Sequence, residues 1–384
     1  MPFSRRGFHS PARPSAEMRG IGTAAWVPPV WLARSVETLR SGFRKASFTM
    51  VPPPIGILDA TMGGVAGAQT IYAAARLGIA DVLADGPLTA EVIAARIGAD
   101  PVATHRLLRA LAMQSIFTQR SNGEFELTAM AHALRSDTPM SVRPLLLMLS
   151  HPLYWEHWGR LSDSVRTGRS SIETAYGMTL FECLDREPEV AKIFNDAMTC
   201  TSSLVIPPVL AAYDFSQAGT IVDVGGGNGR LLSAMLSAAP KARGVLFDLP
   251  ATEADGREHL DASGVGHRSE VKTGSFFEAV PSGGDLYVLK HIIHDWDNDQ
   301  AGMILGRLRE AMAPTATLLL IESVLPSNNK PHLGKFLDLD MLIFAGGRER
   351  TRRQYEKLLA SAGFRLNRVI PTASHLSIVE ATVR

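Results

Sequence analysis

Cysteine is nearly absent from this chain of 384 residues, which contains only Cys183 and Cys200. No C-x-x-C pair occurs, so neither a disulfide scaffold nor a zinc site is expected, and a reducing cytoplasm fits the composition. Without an apolar run of about 18 residues, no membrane span is expected either. The formal net charge is only +1, which gives no reason to expect nucleic acid or an anionic membrane as the main partner.

Apolar residue types, by contrast, make up 46% of the chain, which is enough for a large core, and the length predicts about two domains. Residues 1–50 differ from the rest, because eight arginines and lysines stand against two glutamates there. We interpret this segment as a disordered extension, or as the result of a start codon assigned upstream of the true one at Met18 or Met50. A transit-like or surface-binding segment is the alternative.

Glycine is concentrated in one place, the segment Thr220-Ile-Val-Asp-Val-Gly-Gly-Gly-Asn-Gly-Arg230. Its apolar start predicts a buried parallel strand, and its glycines allow a tight turn and a close approach of the backbone to a ligand. A helix is expected from Arg230, followed by a second strand that ends in Asp248. An acidic residue about 20 positions after such a turn is typical of a nucleoside site, where the carboxylate binds the ribose hydroxyls.

The spacing of these glycines distinguishes between nucleosides. A dinucleotide site has the pattern G-x-G-x-x-G, with the pyrophosphate at the helix N-terminus. Counted from Gly225, the third glycine of that pattern is replaced by Arg230, and the sequence follows G-x-G-x-G instead. This pattern favours S-adenosylmethionine (SAM) over NAD or a purely structural turn. From residue 219 strands and helices alternate, which predicts a doubly wound α/β sheet.

The region before this sheet predicts helices followed by a hairpin. Helices are expected over 55–83, from Thr89 to Gly98 and from Asp100, and a hairpin closes at Asn122-Gly123. This order indicates a winged helix, for which DNA binding through Arg106 and Arg109 is one hypothesis. The third helix is not strongly basic, so we favour a role in protein contact. The apolar helix at 65–80 needs a partner to be buried, which favours a dimer.

Residues 143–185 are rich in large side chains, among them Tyr154, Trp155 and Trp158, which could line an apolar pocket or belong to the core. A longer helix is predicted from Glu187-Pro188 onward. Asp295, Asp297 and Asp299 alternate as in a calcium loop, but that loop lacks its glycine and its bidentate glutamate here. A solvated helix start explains these charges better.

Candidate chemistry lies at the predicted strand ends, where ligands of such sheets collect. His294 follows the strand Leu286–Leu289, Glu322 ends the strand Thr317–Ile321, and Glu349 lies in a charged loop before the next helix. A histidine oriented by carboxylates is a general base near neutral pH. The alternative is that His294 caps a helix or packs locally.

Taken together, these motifs resemble those of the plant-type small-molecule O-methyltransferases, such as caffeic acid O-methyltransferase, and their bacterial polyketide and carotenoid relatives. The resemblance extends from about Ile55 to the C-terminus. The matching motifs are Asp223-Val-Gly-Gly-Gly-Asn-Gly229, Phe247-Asp-Leu-Pro250, Lys290, His294-Asp-Trp296, Glu322 and Gly346-Gly-Arg-Glu-Arg-Thr351.

The resemblance implies a Rossmann-like SAM-binding domain at 186–384 and a mainly helical winged-helix dimerisation domain at 51–185. It implies that His294 deprotonates the acceptor hydroxyl, oriented by Glu322 and Glu349, and that no metal is needed. The residues implied to bind SAM are Gly225, Asp248, Ser275, Phe276, Lys290 and Trp296, with Trp296 near the adenine. Phe194 and Met198 match positions that touch the acceptor.

Two positions depart from the plant pattern. Ser275 replaces a carboxylate that would bond the adenine amino group, at a cost of about 1 kcal/mol. His291 replaces an aromatic residue beside the pocket, so the plant acceptors do not carry over. We expect a flat apolar acceptor such as an aromatic, quinone or polyketide hydroxyl compound. The alternatives are an N-methyltransferase, a non-catalytic SAM-binding relative, or a winged-helix regulator that senses a ligand.

Overall fold

The computed structural model describes residues 27–384, so the expectations for residues 1–26 lie outside the described part. The N-terminal region is a group of helices with one hairpin. Its helices are α1 Val30–Thr49, α2 Pro53–Arg76, α3 Ile79–Val82, α4 Ala90–Ile97, α5 Pro101–Met113 and α6 Ala129–His132, and its strands are β1 Phe117–Gln119 and β2 Phe125–Leu127.

The expectation of a disordered extension is wrong over Val30–Thr49, which forms α1. Its apolar residues Leu32, Val36, Leu39 and Phe43 recur at helical spacing, and this periodicity outweighs the basic, serine-rich composition. The helix packs along α2. Three of these four side chains are exposed. The apolar stripe of α1 therefore lacks a covering surface among residues 27–384.

The predicted order of helices and hairpin after α2 is confirmed. Gly98 ends α4 in the left-handed conformation, and Asp100 caps α5 by accepting a hydrogen bond from the Ala103 N–H at 2.7 Å. Thr89 precedes α4 as expected but makes no side-chain cap, and the hairpin loop is longer than an Asn-Gly turn, because it spans residues 120–124. These helices and the hairpin pack around a hydrophobic core that is separate from the core of the sheet.

A second group of helices connects this region to the sheet. These helices are α7 Arg143–Leu149, α8 Pro152–Gly159, α9 Leu161–Thr167, α10 Ser171–Tyr176, α11 Leu180–Arg186 and α12 Pro188–Ala212. The predicted long helix is α12, and it packs mainly against α7.

The third region is built on a seven-stranded sheet. Its strands are β3 Thr220–Val224, β4 Arg243–Asp248, β5 Ser269–Thr273, β6 Leu286–Lys290, β7 Thr317–Glu322, β10 Phe364–Pro371 and β11 Ser377–Val383, and a separate small pair is formed by β8 Val324–Leu325 and β9 Arg350–Thr351. The helices are α13 Arg230–Ala238, α14 Glu253–Ala262, α15 Asn298–Ala311, α16 Gly334–Asp340 and α17 Arg352–Ser361.

The strand order β10-β11-β7-β6-β3-β4-β5 explains where a ligand can bind. The chain moves from β3 to one side and returns from β6 to the other, so a crevice opens at the carboxyl ends of these two parallel neighbours. The predicted doubly wound sheet is confirmed. Its last two strands, β10 and β11, run as an antiparallel hairpin that the sequence did not indicate.

The start of α15 and the apolarity of the helices agree with the sequence. The Asp297 carboxylate accepts hydrogen bonds from the N–H groups of Asp299 and Gln300, so this aspartate caps α15 as expected for a helix start. Within residues 27–384, none of the helices combines the length and apolarity that a membrane crossing requires.

Candidate active site

His294 lies at the mouth of the crevice, in a short 3₁₀ turn, Ile293–Asp295, that follows β6. Its Nδ1 is 2.9 Å from Glu349 Oε1. Because an ionised carboxylate can only accept, Nδ1 carries a hydrogen in either protonation state of the ring, and Nε2 is the nitrogen that can exchange a proton with a substrate. Nε2 lies 3.5 Å from Asp295 Oδ1. This arrangement orients the imidazole with one nitrogen available to a substrate.

Glu322 lies at ion-pair distance from the imidazole but does not hydrogen-bond to it. Its Oε1 accepts hydrogen bonds from the backbone N–H groups of Ile292 at 3.1 Å and Ile293 at 2.9 Å. Its Oε2 is 3.9 Å from His294 Nδ1, beyond hydrogen-bond distance. The direct partner of the ring is Glu349, whereas Glu322 fixes the backbone of the turn that presents it.

A buried arginine that the sequence did not single out holds the same turn from the other side. Arg350 Nη1 donates to Ile293 O and Nη2 donates to Trp296 O, both at 2.8 Å. The backbone N–H of Arg348 donates to His294 O at 2.8 Å. A Cβ at Gly347 would overlap with His294 O, so only glycine lets this loop approach so closely. The charged loop thus works as a backbone clamp on the histidine turn.

The carboxylates around His294 change its basicity. Burial by itself lowers the pKa of His294, but Asp295, Glu322 and Glu349 outweigh burial and raise it to about 10. Burial raises the pKa of Glu322 to about 7 and that of Asp295 to about 6, against the opposing charge of His294. His294 is therefore a stronger base than the near-neutral one expected from the sequence.

The glycine turn after β3 is in direct contact with the histidine turn. Gly225 has φ +69°, and a Cβ there would overlap with Ile292 Cδ1. The Asp248 carboxylate accepts hydrogen bonds from the N–H of Gly227 at 2.7 Å and of Leu249 at 2.6 Å. Two of the roughly four lone-pair directions of this carboxylate are thus used by the described residues, and the others can accept hydrogen bonds from a ligand.

Aromatic rings form one side of the crevice around Trp296. Phe276 and Phe277 meet its indole edge to face, and Phe181 of α11 stacks on it at 6.1 Å. The Trp296 Nε1 is buried and finds no hydrogen-bond partner among residues 27–384. Ser275 accepts a bond from the Phe277 N–H at 3.3 Å, so its hydroxyl stabilises the adjoining turn. These residues form one aromatic cluster at the edge of the crevice.

Lys290, at the end of β6, lies beside a buried acid of the glycine strand. Burial lowers its pKa, and the charges of Asp223, Glu322 and Asp295 act in the opposite direction. Burial raises the pKa of Asp223 to about 7, against the charge of Lys290. The sequence placed Lys290 along the cofactor pocket but assigned no role to Asp223.

The proposed acceptor residues are less closely tied to this centre. Phe194 and Met198 lie one turn apart on α12, both half-buried. The hydrogen bonds and ring contacts of the described residues do not join them to His294, so their role stays a prediction.

Two of the large aromatic residues in the middle of the chain face the catalytic region. Tyr154 and Trp158 of α8 both donate to Asp340 Oδ1, at 2.6 and 2.9 Å. Tyr154 also stacks on Phe344 at 4.6 Å. Phe344 belongs to a π-helical turn, Met341–Ala345, which packs against the histidine turn. The α8 helix is thereby anchored beside the histidine, although Trp155 is exposed.

Two family models match the chain. Residues 60–137 match the O-methyltransferase dimerisation domain, and residues 158–365 match the O-methyltransferase domain. The chain belongs to the O-methyltransferase family.

Relatives of this O-methyltransferase act in bacterial small-molecule metabolism. A phenazine O-methyltransferase of Lysobacter antibioticus is 42% identical over 313 residues, which is 82% of this chain and 92% of that protein. An 8-amino-8-demethylriboflavin N,N-dimethyltransferase of Streptomyces davaonensis is 37% identical over 82% of this chain and 91% of its own. The structure of CalO1, a methyltransferase in calicheamicin biosynthesis with S-adenosylhomocysteine (SAH) bound, has a TM-score of 0.78 at 35% identity, over 86% of this chain and 98% of that one.

These comparisons confirm the predicted family, fold class and methyltransferase activity, and they confirm SAM as the methyl donor at the level of the family. They also confirm that the helical region belongs to a dimerisation domain. The boundaries 51–185 and 186–384 and the roles of individual site residues stay predictions.

A metal could in principle use the same acidic cluster, because His294, Glu322 and Glu349 offer ligand atoms within 4.8 Å of one another. A cation there would have to displace the imidazole from Glu349 Oε1. That no metal is needed for methyl transfer stays a prediction.

Proposed function

We propose that this enzyme transfers the methyl group of SAM to a hydroxyl of a small planar acceptor, with His294 as the base. The observation that carries the proposal is the His294–Glu349 hydrogen bond at 2.9 Å, which leaves Nε2 free in a turn that touches the cofactor loop at Gly225. The base and the nucleoside site are thus adjacent.

In this mechanism the acceptor oxygen attacks the methyl carbon in line with the leaving sulfur. The C–S bond breaks, sulfur keeps the electron pair, and the products are SAH and a methyl ether. The hydroxyl proton moves to His294 Nε2, and Glu349 stabilises the imidazolium. Proton transfer of this kind contributes roughly 10²–10⁴ in rate. Holding oxygen and methyl in line contributes up to about 7–11 kcal/mol, so positioning outweighs the base.

The cofactor-binding residues are assigned from their places around the crevice. Asp248 would bind the ribose hydroxyls with its free lone pairs, and Gly225 would allow the backbone to approach. Trp296 and Phe276 would enclose the adenine. The Ser275 hydroxyl would accept a hydrogen bond from the adenine amino group. Lys290 would lie along the same pocket. SAM supplies the electrophilic methyl group to this site when bound.

The acceptor is inferred to be aromatic, quinone-like or polyketide-like. Tyr154 and Phe344 stack beside the histidine turn, and such a wall suits a flat apolar molecule. Phe194 and Met198 are proposed to contact the same acceptor from α12. The relatives include a phenazine O-methyltransferase and a methyltransferase in calicheamicin biosynthesis, which supports this class.

An N-methyltransferase is the second candidate, because one relative methylates an amino group. Product analysis separates the two. The protein would be incubated with SAM and matched pairs of planar phenols and arylamines, and the methylated atom would be identified by NMR and mass spectrometry. Transfer to oxygen supports the proposal, whereas transfer to nitrogen alone would replace it.

The pH dependence of kcat/KM is expected to be bell-shaped for an acceptor that ionises at about pH 7. The reactive pair of His294 and acceptor shares a single proton. Below about pH 7 the acceptor is a neutral hydroxyl compound facing an imidazolium that cannot take its proton, and above about 10, to which the pKa of His294 is raised, the neutral ring no longer attracts the acceptor oxyanion. Activity therefore falls on both sides. An alkaline limb that persists in His294→Gln would assign it to another group.

A homodimer is proposed through the exposed apolar faces of α1 and α2. Met62 in α2 is 57% exposed, although it lies in the region that matches the dimerisation domain. Met62→Asp is expected to weaken the dimer at least about tenfold, since a charge would be buried at the interface. Light scattering over a dilution series measures this. The matched control is Met303→Asp, because Met303 of α15 is 55% exposed. Equal dimer dissociation constants for the two variants would refute the interface.

The absence of nucleic-acid binding and the cytoplasmic location stay predictions. A winged-helix regulator would bind duplex DNA more strongly at low salt through Arg106 and Arg109. A gel shift at low salt is expected to show no binding.

A further inference from the structure

Three histidine rings are stacked in series beside the crevice. The rings of His294 and His291 lie 5.1 Å apart between centroids at 17°, and those of His291 and His375 lie 6.2 Å apart at 18°. Both separations fall in the range of offset stacking between aromatic rings. His291 directly follows β6, whereas His375 comes from the loop between β10 and β11. Two segments, the stretch after β6 and the β10–β11 loop, thus contribute to one column of rings, which we call the histidine stack.

The backbone at His291 is in a conformation that disfavours its side chain. Its φ is +56°, and among the described residues Ser115 is the other non-glycine residue with a positive φ. The His291 N–H donates to Ile321 O of β7 at 3.2 Å. Such a conformation persists when the surrounding structure requires it, and it is concentrated at functional sites. Glycine would adopt it freely, so the presence of histidine indicates that the ring is needed.

The third ring is held by a tightly bonded loop. Thr372 Oγ1 donates to Leu376 O at 2.7 Å, and the Leu376 N–H donates to Ser374 Oγ at 3.1 Å. Ser377, which follows this loop, is paired with Glu322 across β11 and β7. The register of the sheet therefore places His375 behind His291, on the side away from His294.

The charges around the histidine stack favour a proton on the first ring alone. Burial, followed by Lys290 and the neighbouring imidazoles, lowers the pKa of His291 well below its usual value. Burial, His332 and His294 lower the pKa of His375 to about 4. His294 instead faces three carboxylates, those of Asp295, Glu322 and Glu349, which raise its pKa. The neutral rings of His291 and His375 thus stack on one side of the His294 imidazolium. This stacking stabilises the imidazolium, because a neutral aromatic face attracts a cation.

We propose that His291 is a positioning residue, whose stacked ring fixes the plane of the His294 imidazole and stabilises its protonated form, with His375 as support. This inference rests on the proposed role of His294 as the base. It explains why an otherwise unfavourable backbone conformation is kept beside the reacting groups. A ring that can tilt would carry Nε2 away from the acceptor, and small displacements of this kind reduce turnover strongly.

The test uses three substitutions at one position. His291→Ala removes the ring, His291→Gly removes the ring and also relieves the positive φ, and His291→Phe keeps a stacking ring. We expect Ala and Gly to lower kcat by about 10- to 100-fold, with SAM affinity unchanged. Phe should restore most of this loss. NMR titration of His294 should show its pKa lowered by about one unit in Ala and Gly.

Different outcomes overturn different statements. If His291→Ala left both kcat and the pKa of His294 unchanged, or if His291→Phe were as impaired as His291→Gly, the positioning role would be wrong. Because glycine suits the positive φ, His291→Gly keeps the test valid if the alanine variant does not fold. Wild-type turnover in His294→Ala would instead overturn the proposed base itself.

Discussion

His294→Ala is expected to lower kcat by about 10²–10⁴-fold while leaving the affinity for SAM nearly unchanged. The variant removes the one nitrogen that is free to accept the hydroxyl proton, whereas the glycine turn and Asp248 keep their own hydrogen bonds. Turnover would be measured by SAH release at saturating SAM, and affinity by calorimetry. The loss of kcat should be smaller for an acceptor with a lower hydroxyl pKa, because more of that acceptor is already ionised.

The matched control for this variant is His267→Ala, since His267 is an exposed histidine in the same domain. It is expected to keep wild-type kcat. A loss of SAM binding in His294→Ala would contradict the assignment, because it would place the imidazole in the cofactor site. Full N-methylation activity in the same variant would favour the amine acceptor, since a neutral amine needs no base to become nucleophilic.

Asp248→Ala is expected to weaken SAM binding by about 10²-fold or more. The carboxylate would accept two ribose hydroxyls, and hydrogen bonds to a charged group are each worth about 1.5–3 kcal/mol. The variant also frees the N–H groups of Gly227 and Leu249, so the empty turn loses its own support. Calorimetric titration of SAM measures the change directly.

Asp255→Ala serves as the control for this variant, because Asp255 is exposed on the adjoining helix α14. It should bind SAM as the wild type does. If Asp248→Ala kept wild-type affinity, the nucleoside would have to bind elsewhere. If the folded wild-type protein did not bind SAM, the first change to test would be the replacement of Ser275 by a residue with a carboxylate.

Much of this site could be predicted because parallel strands end at a common edge. The glycine turn follows β3, Asp248 ends β4, Lys290 ends β6 and Glu322 ends β7, so strand order alone brings them together. His294 follows β6 by a few residues and is placed by the same rule. Hydrophobic patterning and the glycine motif predict this common edge, whereas the roles of Lys290 and His294 also depend on the family resemblance.

The rest depends on contacts that leave no local pattern. Whether Glu322 bonds the imidazole or the backbone depends on distances of about an ångström. The burial of Arg350 depends on four carbonyl and amide oxygens that face its guanidinium, which no charge pattern reveals. His375 reaches His291 only through the register of an antiparallel hairpin. The helix α1 is indicated by apolar residues at helical spacing, but the basic, serine-rich composition of the segment favoured the interpretation as a disordered extension.

The two backbone hydrogen bonds to Asp248 have a consequence for cofactor analogues. Because the carboxylate is already fixed in the empty turn, it gains little by adapting to a modified sugar, and deoxyribose analogues should be strongly discriminated against. At the adenine end the hydroxyl of Ser275 is a neutral partner that can rotate. The enzyme should therefore accept donors with altered bases more readily than donors with altered ribose, which makes the base the preferred place to attach a label.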